Sequence, residues 1–251
     1  MRSIDLNSDL GEGAGHDAEI MPLITSANIA CGGHAGDEAT MRRTVELALR
    51  HGVAVGAHPG YPDKANFGRL PLAMDAQVLI EEVAAQVRAL ADVASAAGTF
   101  VQHVKAHGAL YNQAERDAGI ASAIATGIYD DARGASFVVF APPGSAMLER
   151  ALAMDLRVAR EGFVDRAYEA DGTLRSRKLP GSLHTDPLVA AAQAVSFVRD
   201  GGVRAFDGSF LPLEVDTLCL HGDTPGAPAI AAAVREALAR EGITVRPALE
   251  R

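Results

Sequence analysis

The stretch FVQHVKAHGALYN, Phe100 to Asn112, decides how the chain folds. Its first half alternates like a β-strand, and successive strand side chains point to opposite faces. His103, Lys105 and His107 therefore share one face, set among Val101, Val104 and Ala106. A strand otherwise suited to a core carries a comb of basic groups, and the remaining segments supply the reason.

Six more strand-like runs flank this one: Ser3 to Ser8, Ser26 to Cys31, Val53 to His58, Phe137 to Ala141, Leu156 to Glu161 and Thr217 to His221. Amphipathic helices fit between them. In DAQVLIEEVAAQVRALADVASAAG, Leu79, Val83, Val87, Leu90 and Ala94 recur every three or four residues, which marks one buried helical stripe. Asp75 reads as its N-cap and Gly98 as the residue just past its end, with similar punctuation at Gly52 and Gly242. Alternating β and α elements predict a mostly parallel sheet with helices outside it.

Polar residues choose between an open sheet and a closed one. Asp5, Asn7 and Asp9 share a face of the first strand, as Cys219, His221 and Asp223 do on the last. Asn28 and His34 follow the second strand, His58 ends the third, and Glu161 and Asp165 follow the sixth. In a βα-barrel the C-terminal strand ends form one mouth, whereas the first and last strands of an open sheet need not meet. The expectation is a single βα-barrel domain over residues 1–251, with about seven parallel strands and a hairpin excursion at about 161–180.

The chain has 251 residues, 48% hydrophobic, with 23 basic and 32 acidic residues and a net charge of −9. That balance argues against a nucleic-acid binder, which needs a basic footprint. No apolar run approaches the roughly 20 residues of a membrane span, and the opening MRSIDLNSDLGEG does not read as a signal peptide. Cys31 and Cys219 read as reduced thiols, so the expected location is cytoplasmic.

The chemistry-bearing groups cluster at the strand ends. The loop GEGAGHD, Gly11 to Asp17, reads as either a tight βα turn or an anion cradle of backbone N–H groups built around Gly11, Glu12 and Gly13. No G-x-x-x-x-G-K-[ST] motif occurs, so a nucleotide would need another arrangement. His34, His58, His107 and His221, with Asp9 and Asp223, form a set able either to bind a divalent metal ion or to act as acids and bases near neutral pH, without a diagnostic metal-ligand spacing. Lys105 in a barrel interior needs a carboxylate partner such as Asp9, Glu161 or Asp223. It reads either as polarising a carbonyl or as a buried ion pair that fixes register.

In EGFVDRAYEADGTLRSRKLPG, Asp171-Gly172 predicts a two-residue hairpin turn. The excursion carries Arg166, Tyr168, Arg175, Arg177 and Lys178 over the mouth, with Arg166 and Tyr168 best placed to reach it. The loop GAHPGYPDKANFGR forms a wall of the site, and its Arg69 reads as an anion contact or a plain exposed arginine.

Seven ordered segments, DLNSDLGEG, SANIACGGHAGD, GAHPGYPD, HVKAHGALYN, EGFVDRAY, DGTLRSR and LCLHGD, resemble the LamB/YcsF family over nearly the whole chain. Two positions depart from the pattern: Ala106 stands where the family often has proline, and Leu70 where it often has arginine. The resemblance implies a barrel similar to those of polysaccharide deacetylases. It also implies ATP-dependent opening of 5-oxo-L-proline to L-glutamate, with Mg2+ as the counter-ion of ATP and two partner subunits, B and C. No tightly bound metal is assigned.

On this reading Asp9, His58, Lys105 and His107 carry the catalysis, with Asp9, His58 or His107 activating water. Asn7, Gly11, Glu12, Gly13, Asn28, His34, Glu161, Asp165, Arg166, Tyr168, Arg177, His221 and Asp223 bind substrate or phosphate. Replacing Lys105 with Ala should abolish activity and leave the fold intact. Two alternatives stand beside it. One is a stand-alone metal-dependent amidohydrolase or deacetylase with Asp9, His34 and His58 as ligands, and the other is a non-catalytic lactam-binding subunit.

Overall fold

The structure, a computed structural model, describes residues 2–131 and 137–248. Six strands come first: β1 (Ser3–Leu10), β2 (Ser26–Ala30), β3 (Ala54–His58), β4 (His103–Val104), β5 (Val138–Ala141) and β6 (Arg157–Phe163). A separate antiparallel pair follows, β7 (Gly202–Arg204) with β8 (Phe210–Pro212), and then β9 (Thr217–His221) and β10 (Thr244–Val245). Strands β1 to β6 pair in sequence, β6 pairs with β9, and β9 pairs back onto β1, all in parallel. A seven-stranded barrel is thereby closed, as expected, and β10 adds to the N-terminal end of β1.

The helices are α1 (Asp17–Ile20), α2 (Glu38–His51), α3 (Ala76–Ala96), α4 (Gly108–Ala114), α5 (Ala118–Asp131), α6 (Ala146–Ala153), α7 (Pro187–Arg199) and α8 (Ala227–Arg240). Their ends form where local chemistry dictates. The carboxylates of Asp37 and Asp75 accept the free N–H groups of Thr40 and Gln77 at the starts of α2 and α3, each worth about 1 kcal/mol. The α3 stripe of Leu79, Val83, Val87, Leu90 and Ala94 is buried as its spacing required.

Apolar side chains on the outer strand faces, such as Leu6, Val55, Val104 and Leu218, pack in one core with those on the helices, such as Val45, Val83, Val87 and Val234. Each fully buried aliphatic group contributes about 1.5–3 kcal/mol relative to exposure. The inner faces are different. β1 neighbours neither β4 nor β6, yet Asp9 meets Lys105 and Asn7 meets Glu161, so these contacts cross the barrel interior. A barrel of this kind is usually filled by branched apolar layers. Here much of the filling is a polar lattice, with a small apolar cluster of Val138, Phe140 and Ala159 apart from the main core.

Ladder pairing in β4 is shorter than the expected Phe100 to Ala106. The chain still runs beside β3 through single hydrogen bonds from Gln102 to Val55, Lys105 to Ala57 and His107 to Pro59, while Phe100 is exposed. The excursion after β6 doubles back through bridges of Arg166 with Leu183 and Tyr168 with Leu174. Its turn has three residues, not two. Glu169 N–H donates to Thr173 O, Gly172 N–H donates to Glu169 O, and Gly172 sits at φ 90°. Asp171 is a turn centre, and Gly172 takes the left-handed bulge position that a side chain would strain. Among the described residues no helix is long and apolar enough to cross a membrane.

Candidate active site

At the C-terminal mouth of the strands lies a cavity of about 660 Å3, within the range of small-molecule sites. It is lined by Asp9, Glu12, His58, Lys105, His107, Arg166, Arg177, His221 and Asp223 from the expected set. Tyr111, Asn112 and Phe163 join them. The lining carries six basic side chains (Arg69, Lys105, Arg116, Arg166, Arg177, Lys178) against four acidic ones (Asp9, Glu12, Glu115, Asp223). In a chain of charge −9 this locally basic mouth favours an anionic ligand.

Lys105 is the centre of one group. Its Nζ donates to Asp9 Oδ1 at 2.9 Å and Cys219 Sγ at 3.0 Å, and lies 3.0 Å from Glu161 Oε1. Burial pulls the ammonium down, but Asp9, then Cys219 and Glu161, hold it well above the usual lysine range. Lys105 is therefore a fixed cation, not a base. Burial pushes the Cys219 thiol well above its ordinary value, even beside Lys105, and pushes Cys31 up to about 12, so neither is a nucleophile near neutral pH. Asn7 donates to Glu161 at 3.1 Å and Tyr111 donates to it at 2.8 Å, while Asn28 donates to Asp9 at 2.8 Å. Asn7 and Asn28 thus orient carboxylates from beneath and do not reach the cavity.

Four side chains make a second group. His58 Nδ1 lies 2.8 Å from Lys105 O, and His107 Nε2 lies 2.9 Å from Phe67 O, so each ring donates one N–H to the backbone. The opposite nitrogens, His58 Nε2 and His107 Nδ1, face each other at 3.0 Å. Glu12 Oε1 lies 3.2 Å from His107 Nδ1, 3.7 Å from His58 Nε2 and 3.0 Å from His34 Nε2. Burial pulls His34 down to about 4. Burial pulls His58 down too, but Asp9 and then Glu12 together raise it above the ordinary histidine value. Phe67 holds its carbonyl on His107 from a left-handed conformation, φ 56°, which costs about 1–3 kcal/mol in a non-glycine residue.

A third group joins β6 and β9. His221 Nδ1 is 3.0 Å from the Asp165 carboxylate, which also accepts the His221 backbone N–H and, at 2.6 Å, the Thr224 hydroxyl. Although burial opposes it, His221 followed by Thr224 holds Asp165 below the usual carboxylate range. With Nδ1–H committed to Asp165, His221 presents Nε2 as an acceptor, the arrangement of an oriented acid–base pair. Above it, Arg166 is buried and donates to the carbonyls of Ser182 and Arg175, and among the described residues it pairs with no carboxylate. Burial, then Arg177, pull its guanidinium down to about 10, so it stays charged near neutral pH.

Several expected residues lie elsewhere. Gly11 and Gly13 line a separate groove with Asp37 and Arg43, and the Gly11 N–H already donates to Asp17 at 2.9 Å. The glycine loop thus holds its own carboxylate and delivers only Glu12 to the mouth. Tyr168 is buried against Phe197, and its hydroxyl accepts the Phe163 N–H, anchoring the excursion away from the cavity. Arg175 pairs with Glu169 and stacks on Phe206. Arg69 and Arg177 both approach Asp223 at the rim, which ties two loops across the opening. Tyr111 carried a readable signal that the expected set omits: it follows His107 by four residues, one helical turn along α4.

Comparison with known proteins agrees with this architecture. The model of the LamB/YcsF family matches residues 4–251. A Chloroflexus aggregans protein, named as the A subunit of 5-oxoprolinase, is 51% identical over 251 residues, covering 98% of this chain and 99% of the relative. A Pyrococcus furiosus protein of the same name is 47% identical, with 97% of each covered. The crystal structure of a lactam utilization protein from Thermus thermophilus superposes with a TM-score of 0.91 at 45% identity, covering 97% of this chain and 99% of that one. A structure described as T48 deacetylase with substrate matches at a TM-score of 0.50 and 13% identity over 97% of this chain and 87% of that one, a likeness of fold alone.

Proposed function

The chain belongs to the LamB/YcsF family, and from that premise we propose that it is the A subunit of a 5-oxoprolinase. It opens 5-oxo-L-proline to L-glutamate with hydrolysis of ATP to ADP and phosphate, in a cytoplasmic assembly with the B and C subunits. The relatives' names and the T. thermophilus lactam utilization protein support the substrate class. The free, buried Cys31 and Cys219 accord with a reducing compartment.

One observation carries the reading: Arg166, which pairs with no carboxylate among the described residues, and His221, oriented from behind by buried Asp165, face the same cavity, with Lys105 fixed at its floor. A five-membered lactam with a carboxylate presents an anion and an unreactive amide. Arg166, helped by Arg177, takes the carboxylate through planar charge-assisted hydrogen bonds. Lactam closure is favourable, so opening needs an energy source. Transfer of a phosphoryl group to the lactam oxygen leaves the ring carbon electrophilic. Water then adds to that carbon, with His221 Nε2 accepting its proton and returning it to the ring nitrogen as the C–N bond breaks. A second water releases phosphate and leaves the new carboxylate.

Lys105 acts through its field, stabilising charge on the oxygen without moving, since Asp9, Cys219 and Glu161 already occupy its reach. ATP is treated as a substrate of the assembly, and Mg2+ as its counter-ion. Glutamate formation from 5-oxoproline and ATP, measured with this chain alone and with both partners, tests the proposal. Turnover is expected only with all three subunits and ATP. Ring opening by the isolated chain without ATP would overturn it in favour of a stand-alone amidohydrolase.

A further inference from the structure

Two groups at the mouth differ in what holds their acceptors together. Asp9 Oδ1, Glu161 and Cys219 surround the Lys105 ammonium. Around Glu12 the neighbours are imidazoles, and two of these have spent their N–H on backbone carbonyls. His58 Nε2, His107 Nδ1 and Glu12 Oε1 therefore meet as three lone-pair donors, with Asp9 Oδ2 3.5 Å from His58 Nε2. One added proton matches a single pair of these atoms. A divalent metal ion matches all of them together.

We propose that His58 Nε2, His107 Nδ1 and Glu12 Oε1 form a binding site for a divalent transition-metal ion of the zinc type, with Asp9 at its edge and a further position open to the cavity. The spacing fits. Tetrahedral ligands about 2.0–2.1 Å from zinc lie about 3.3–3.4 Å from one another. The measured separations of 3.0, 3.2, 3.5 and 3.7 Å bracket that edge. The His58 and His107 rings stand at 88°, so their in-plane lone pairs can converge on one point. The carbonyls of Lys105 and Phe67 fix both tautomers, as outer partners do around metal-binding histidines.

His34 belongs to the support and not to the ligand set. Its ring is stacked on His107 with centroids 3.6 Å apart and planes 3° apart. Lone pairs lying in two parallel planes at that separation cannot aim at one ion. His34 instead donates Nε2–H to Glu12, leaving Nδ1 buried without a partner among the described residues. Glu12, His58, His107 and Asp9 all line the cavity whereas His34 does not, so a ligand entering the mouth meets the open side of the site. The set differs from the Asp9, His34 and His58 triad of the amidohydrolase alternative by exchanging His34 for Glu12 and His107.

The test is cobalt titration of the chelator-treated full chain, followed by visible absorption and metal analysis. Wild type should take up one Co2+ per chain with an intense visible band, displaced by Zn2+. Glu12→Gln and His107→Ala should each weaken binding at least about 100-fold. His34→Asn should keep the stoichiometry and lose about 10- to 100-fold in affinity, the usual effect of an outer partner. Absence of a saturable band in wild type would overturn the site without reliance on any variant. So would an added sulfur-to-cobalt band in the near ultraviolet, which would place the ion on Cys219, or a stoichiometry lost in His34→Asn and kept in Glu12→Gln.

Discussion

The Lys105 group and the Glu12 group sit side by side, share Asp9, and solve the same electrostatic problem in opposite ways. Lys105 brings its own cation on a stiff strand end and satisfies every neighbour, so the group is complete within the chain. The Glu12 group gathers lone pairs whose tautomers are fixed from behind, so it is complete only with a proton or an ion from solution. A buried charge is costly unless matched, and a chain retains such a cost at sites of chemistry. The contrast divides labour across the mouth: a permanent field where Lys105 meets Glu161 of β6 and Cys219 of β9, and an exchangeable cation where His107 meets His58 of β3 and Glu12, which follows β1.

The largest effect expected from breaking this contrast is at Lys105. Lys105→Met should reduce glutamate formation by the assembly at least about 1,000-fold, at the upper end for a lost charge-stabilising group. It should also destabilise the chain by about 3–5 kcal/mol, because Asp9 and Glu161 are left as buried, unpaired carboxylates. That second effect runs against the expectation from sequence that the fold would be untouched. A melting curve recorded beside the activity assay separates the two losses, and an unchanged melting temperature would disprove the ion-pair account.

Asp165→Asn comes next. It removes the acceptor that orients His221 and should lower kcat about 100-fold with KM little changed, since the carboxylate touches no substrate. A rise in KM alone would move the pair from proton transfer to binding. Arg166→Lys is milder: loss of the planar fork should raise KM for 5-oxoproline about 10-fold, with kcat within a factor of about three. An unchanged KM would free Arg166 of the substrate carboxylate and return it to tying down the excursion.

Most of the seven strands were legible because an apolar outer face alternates with polar groups at or near the C-terminal end, and polar groups gathered at one end of successive parallel strands suit a closed barrel. The exception is β5, VVFA, which is apolar on both faces and was legible only as an apolar run. The comb of His103, Lys105 and His107 was legible as a shared face, but not as three different jobs. His107 belongs to the imidazole group and Lys105 to the carboxylates. His103 lies lower, stacked on Phe140 at 4.3 Å and 2.8 Å from Asn28 Oδ1, where it supports the lattice. A Cβ on Gly56 would collide with its Nε2, so the ring depends on a glycine in the neighbouring strand. Glu12 was misread as part of an anion cradle because the turn of the glycine loop, not its composition, aims that side chain inward. Tyr168 was misread because a tyrosine serves equally as a mouth residue or as a buried anchor, and only packing on Phe197 distinguishes them.

His103 also offers the smallest and cleanest test of the difference between a structural histidine and those of the mouth. Burial, then Lys105, depress it to about 3 from an ordinary value near 6.5. A depressed folded-state value contributes stability that is present above pH 6.5 and is lost as pH falls towards 3, because the unfolded chain takes the proton first. Asp5 works against it. Burial raises that carboxyl to about 6, even with hydroxyl donors around it, so its stability is present below about 3.8 and lost as pH rises through 6. The two slopes oppose each other between roughly pH 4 and 6, and total stability conceals both. The difference between wild type and His103→Gln isolates one of them. In chemical denaturation it should shift by about 1.4 kcal/mol per pH unit across that interval, with wild type losing ground as the pH falls. A difference independent of pH would mean that His103 titrates normally, and that the lattice beneath the mouth is open to water.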